Sequence, residues 1–189
     1  MHEMLEQSKI ASLDLVDIST DLERAEQFGI RSVPWLKLNT LELQGSHSPD
    51  ELAYWVEQAG LADGRQVLFD SLLEVGQLAQ VEAMLRRDNS ALSDLLVLFA
   101  DQERQINVRI GASAVLEGFD GSGLLETIVE ELGALTQHPD ASTRTDACHI
   151  LSFIDLPISK KYLQAALVDA HPDVRETAAD SLEALQSLS

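Results

Sequence analysis

Cys148 and His149 stand side by side, an arrangement that a thiolate and its base, or two metal ligands, could use. Helix geometry argues against both, because adjacent residues point about 100° apart and do not face each other. A packed, unreactive thiol is the reading these residues favour. His138-Pro139-Asp140 and His171-Pro172-Asp173 recur 33 residues apart, in equivalent turns. As zinc ligands the two histidines would lie a full repeat apart, about 10 Å, with too few nitrogen or sulfur partners. Turn roles suit them better, with each proline placed to start the helix that follows. Glu126, Glu130 and Glu131 cluster on one helix. A solvated face explains them, and a site for a cation or a basic partner is the sharper alternative. Phe119-Asp120-Gly121-Ser122-Gly123 reads as a turn between helices rather than a phosphate cradle. No Ser-His-Asp order or paired-carboxylate motif stands out, so catalysis has no visible carrier and neither a cofactor nor a metal is expected.

The chain that must position these residues has 189 of them, 45% hydrophobic, with 13 Lys+Arg against 32 Asp+Glu and a net charge of −19. Its mean hydropathy of −0.02 is that of a globular protein. Such a negative charge repels phosphate backbones and anionic lipid surfaces over about 8 Å in physiological salt, so neither nucleic acid nor membrane is an expected partner. Cys148 is the one cysteine. It excludes an intrachain disulfide, and with no Cys-x-x-Cys the chain has no dithiol chemistry of its own. No basic stretch leads into an apolar run at the N-terminus, and no run reaches membrane-helix length, which points to the cytoplasm.

Two patterns divide the chain. Residues 1–62 mix helical and strand periods, whereas residues 65–189 show helical spacing alone, broken by short polar turns. Leu61-Ala62-Asp63-Gly64-Arg65 is the expected junction. In the first part a helix leads, and Leu13, Leu15, Val16 and Ile18 predict a buried strand. Thr20 is placed to cap a short helix that Gly29 stops. Val33 to Leu38 and Leu41 to Leu43 predict a hairpin turning at Asn39-Thr40. Ser48-Pro49-Asp50-Glu51 then predicts a helix start with a capping box, and Leu52, Trp55, Val56 and Ala59 form that helix's buried stripe.

This order, with Gly29-Ile30-Arg31-Ser32-Val33-Pro34 and the glycine at 45 before the last helix, resembles the later two-thirds of a thioredoxin-superfamily domain over about fifty residues. The resemblance implies a cis bond before Pro34 and a peptide-binding role for Val33, Pro34 and Trp35, although Trp35 stands where the family usually has a smaller residue. It also implies that the family's first strand and Cys-x-x-Cys lie before residue 1 or have been lost. Without that central strand, neighbouring backbone groups should lack partners and part of a helix face should lie uncovered. Residues 1–60 are therefore expected to be the weaker half.

The second part repeats. Windows starting at Asn107, Ser142 and Asp173 align without gaps and share Arg109, Arg144 and Arg175, then Ala112, Ala147 and Ala178, then Leu116, Leu151 and Leu182. The arginines are 35 and 31 residues apart, and each window follows another apolar helix, which makes the unit a helical hairpin. The pattern resembles HEAT repeats over residues 90–187, with a degenerate capping pair before them at Leu68, Leu72, Leu78, Val81 and Leu85. Small alanines let helices approach, the leucines fill the space between layers, and the arginines ladder onto acidic or carbonyl groups of adjacent repeats. The fold class expected is thus mainly α, an incomplete thioredoxin-like α/β domain followed by an α-α solenoid. The expected function is non-catalytic protein binding or scaffolding, on a concave face where Ser113, Glu117, Asp146 and His149 are exposed. A thiol-disulfide oxidoreductase or redox-type chaperone whose dithiol lies upstream is the alternative. A HEAT-type lyase acting on a chromophore-bearing partner is a third, by analogy alone. Whether two chains pair through the incomplete sheet stays open.

Overall fold

A computed structural model describes residues 2–30 and 32–187, the side chain of His2 excepted. The chain forms two compact units, Met1–Val67 and Leu68–Ser189. The second is built from helices, whereas the first joins short helices by irregular chain, and among the described residues the one sheet is a two-stranded hairpin in the first unit.

In the first unit, α1 (His2–Glu6) ends in a left-handed residue, Ser8 at φ 57°, and α2 (Leu22–Gln27) follows a long irregular stretch. The α2 cap is Asp21 rather than Thr20: its carboxylate accepts the Arg24 N–H, while Thr20 turns its hydroxyl back to the Asp17 carbonyl. Gly29 at φ 62° ends the helix as expected of a residue with no Cβ to clash. The Val33–Pro34 bond is cis. Strands β1 (Trp35–Leu38) and β2 (Leu41–Gln44) pair antiparallel, Leu36 opposite Leu43 and Leu38 opposite Leu41. Asn39 takes the turn's positive φ, 51°, and its amide donates to the Ala59 carbonyl at 2.7 Å, tying the hairpin to the end of α3 (Pro49–Gln58). The α3 start is a full capping box, with Ser48 and Glu51 each accepting the other's backbone N–H.

Two expectations fail here for one reason. Residues 13–18 form no strand, and Leu15 and Val16 are exposed. Leu52, Trp55, Val56 and Ala59 are half-buried, and no residue of α3 is fully buried. A strand exists only as half of a ladder, and a helix stripe is buried only by what covers it; these segments have neither.

The second unit is layered. Helices α4 (Gly64–Glu74, whose first turn lies in the first unit) and α5 (Leu78–Arg87) precede three hairpins: α6 (Leu92–Ala100) with α7 (Ile106–Glu117), α8 (Val129–Leu135) with α9 (Ala141–Leu151), and α10 (Pro157–Ala166) with α11 (Pro172–Ser187). The second helices α7, α9 and α11 pack side by side, as do the first helices α6, α8 and α10, giving two layers. The core lies between them: Leu92, Leu95, Leu98, Leu116, Leu132, Leu151 and Leu163 are at 0% exposure. Each such leucine contributes about 1.5–3 kcal/mol, and among the described residues the first unit has no comparable set. Ala112, Ala147 and Ala178 are also fully buried, where a larger side chain would separate the layers.

The repeat departs from strict symmetry in three places. Leu182 is half-buried, unlike Leu116 and Leu151, because α11 is the last described helix and no described layer covers it. Pro172 opens α11, but Pro139 lies two residues before α9, whose cap is Asp140 accepting the Thr143 N–H at 3.0 Å. Glu126 falls in a 3-10 turn before α8 rather than on the helix with Glu130 and Glu131. No described helix is long and apolar enough to cross a membrane.

Candidate protein-binding surface

Residues spaced by four on α7 align along one face: Arg109, Ser113 and Glu117. Beside them α9 presents Asp146 and His149, since α7 and α9 are packed neighbours. The Ser113 hydroxyl donates to Glu117 Oε1 at 3.0 Å, and His149 Nε2 lies 3.8 Å from the same oxygen. Arg109 Nη2 reaches to 4.0 Å from Asp146 Oδ2. The four residues expected on a binding face therefore lie on adjoining helices, Glu117 reaching His149 across them while Asp146 reaches Arg109. Glu117 and His149 are exposed, Ser113 and Asp146 half-buried. Phe153 extends the surface, its ring edge-on to His149 at 5.2 Å.

The chemistry of this face is unevenly satisfied. Desolvation pushes the Asp146 carboxyl up, with Arg109 and His149 pulling the other way. Arg109 Nε is buried without an acceptor. Its counterparts are hydrogen-bonded. Arg144 grips Asp169 through Nε and Nη2 at 2.8 and 2.9 Å and donates to the carbonyls of His138 and Pro139. Arg175 donates to the carbonyls of Asp169 and Ala170 in the same relative positions. The result is a ladder, Arg144 to Asp169 to Arg175, that staples successive turns. Arg104 does similar work at the other end, bridging Asp70 and Asp101 at 2.7 and 3.0 Å; nothing in the repeat alignment pointed to it, because it precedes the aligned window.

Remaining candidates resolve individually. Cys148 is fully buried and its thiol is pushed up to about 11, chiefly by desolvation, so it packs rather than reacts. His138 Nδ1 accepts the Asp140 N–H at 3.2 Å, a turn role. His171 Nδ1 lies 3.9 Å from the Asp173 carboxylate in the corresponding turn. Glu130 accepts the Tyr162 hydroxyl, and Glu131 accepts Ser93 Oγ at 2.8 Å, so both serve helix–helix contacts. Tyr162 can lie there because Gly133 has no Cβ to meet its ring. Between α6 and α8 a shallow hollow of about 500 Å³ is lined by Leu96, Val97, Leu135 and His138, a feature periodicity does not reveal. In the first unit, Val33 is exposed, Trp35 half-buried, and the Trp35 ring packs against Phe28 at 5.7 Å.

Residues 93–183 match the family profile of HEAT repeats. The chain has no match among curated proteins. The match spans the repeated hairpins of α6 to α11 and supports reading them as HEAT repeats in a helical solenoid.

Proposed function

We propose that this protein is a non-catalytic binding or scaffold protein that holds a protein partner on the α7–α9 face of its HEAT array. One observation carries the reading: Ser113, Glu117, Asp146 and His149 lie on two neighbouring second helices, with Glu117 and His149 exposed. A partner offering cations to the Glu117 and Asp146 carboxylates would meet groups accessible on this face. The partner's surface is basic on this reading, since residues 63–189 carry 9 Lys+Arg against 21 Asp+Glu. The first unit is read as a thioredoxin-like remnant without its dithiol, in which Val33, Pro34 and Trp35 meet extended peptide. Its open hairpin edge and uncovered α3 also favour the alternative, an oxidoreductase or redox chaperone with Cys-x-x-Cys in a preceding segment. A segment of that kind in the natural reading frame, active in insulin reduction when joined to this chain, would establish the alternative.

The test is a paired affinity capture, with partners quantified for the chain and for the double variant Glu117→Lys, Asp146→Lys. Circular dichroism first verifies that the variant is folded. A specific partner is expected to bind the unchanged chain and to lose at least about tenfold in affinity for the variant, a modest effect for interface charge reversal. Partners that bind both forms equally would place recognition elsewhere and overturn the reading.

A further inference from the structure

The first unit contains a cavity of about 700 Å³ lined on one side by residues 9–16 and on the other by β1. Ladder alternation fixes how β1 faces it. The Gly45 N–H donates to the Pro34 carbonyl at 2.9 Å, making Pro34 and Gly45 a hydrogen-bonded pair, so Leu36 and Leu38 are the next residues bonded to β2. The N–H and C=O groups of Trp35 and Lys37 therefore point away from β2, along an open edge. Across the cavity, the main chain of residues 10–16 makes no hydrogen bond to any described residue. Leu13, Phe28, Trp35, Leu36 and Val56 line the space and are half-buried, apolar surface still partly in water.

Charge narrows what could fill it. Residues 1–62 carry 4 Lys+Arg against 11 Asp+Glu. Three of those four cations, Lys9, Arg24 and Lys37, line this cavity, and its one carboxylate, Asp14, is paired with Arg24. Lys37 rests its ammonium 5.7 Å from the Phe28 ring centre, and neither it nor Lys9 is ion-paired with a described residue.

We propose that this cavity is a strand-acceptor site for a short extended segment of another polypeptide that carries apolar residues and a carboxylate on one face, since Trp35 and Lys37, two apart in β1, share a face and both meet Phe28. Its main chain pairs with Trp35 and Lys37, its apolar side chains cover Phe28 and Trp35, and the carboxylate two residues along meets Lys37. The proposal rests on the reading of Val33, Pro34 and Trp35 as a peptide-binding element and is independent of the HEAT face.

Trp35 is its own reporter once Trp55, which does not line the cavity, is replaced. In the Trp55→Phe chain, titration with a capped heptapeptide carrying valine, glutamate and valine at its second, fourth and sixth residues, with threonine between, is expected to shift Trp35 emission to the blue. Two analogues N-methylated at every second residue, one in each frame, test the main-chain pairing: at least one should bind more than tenfold weaker. Lys37→Glu should weaken the glutamate peptide at least threefold, and a peptide with lysine in place of glutamate should recover the loss. Binding that ignores N-methylation in both frames would leave a peptide site at Trp35 but overturn strand pairing. Absence of any Trp35 response would overturn both. A dimer of this chain, detected by sedimentation equilibrium, that excludes the peptide would assign the cavity to a second copy and overturn the proposal as well.

Discussion

Asp169 holds two arginines with different parts of itself: its carboxylate takes the Arg144 guanidinium side-on, and its carbonyl accepts from Arg175. The carboxyl is held below its ordinary value, first by the Arg144 hydrogen bond and then by the His171 N–H. A depressed carboxyl stabilises the fold fully above its unfolded pKa, about 3.9, and loses that effect as pH falls through the lower folded value. Asp169→Asn should therefore lower Tm by about 5 °C at pH 7. The gap to the unchanged chain should begin to narrow as pH falls below about 3.9, where the unfolded carboxyl takes up its proton, and close once pH has passed the lower folded value. Thermal melts of both proteins at several pH values check this, and a gap that is constant across the range would mean that the ion pair is not what the substitution removes.

Individual elements show what could be read from residues and what could not. The capping box of α3 is a local matter between Ser48 and Glu51, and the sequence alone places it. Buried alanines and arginine spacing likewise follow from the repeat, which is written three times over. Residues 13–18 have every property of a strand except a neighbour, and a neighbour is not a property of those residues. The contact of Glu117 with His149 was beyond reach for a similar reason: alignment places each on its helix, but only packing sets how α7 slides along α9. Gly64, at the start of α4, gives an element-scale prediction whose sign separates two effects. Helix propensity alone favours Gly64→Ala by up to about 1 kcal/mol. A Cβ there would stand 2.0 Å from the Gln58 carbonyl oxygen, a main-chain atom that cannot rotate away. The substitution should thus destabilise, by about 1–3 kcal/mol in urea unfolding; a stabilised variant would show that the close approach is not retained in solution.

Across the molecule the two units differ in closure. The second buries its leucines between complete helical layers and staples them with Arg104, Arg144 and Arg175. The first leaves α3, the edge of β1 and residues 10–16 without the element that would cover them, and that contrast underlies both proposed roles: a rigid HEAT surface for one partner and an open groove for a strand. Its high negative charge of −19 adds a common preference for basic partners on the HEAT face, while the cation-lined groove of the first unit selects the opposite. Site-resolved amide hydrogen exchange tests this account most directly, because it reports local opening residue by residue. The amides of α7, α9 and α11 should be the slowest to exchange; within β1, Leu36 and Leu38 should be protected while Trp35 and Lys37, with residues 10–16, exchange freely. Protection of Trp35, Lys37 and residues 10–16 comparable to that of α9 would mean that the first unit is already closed, and would contradict the account.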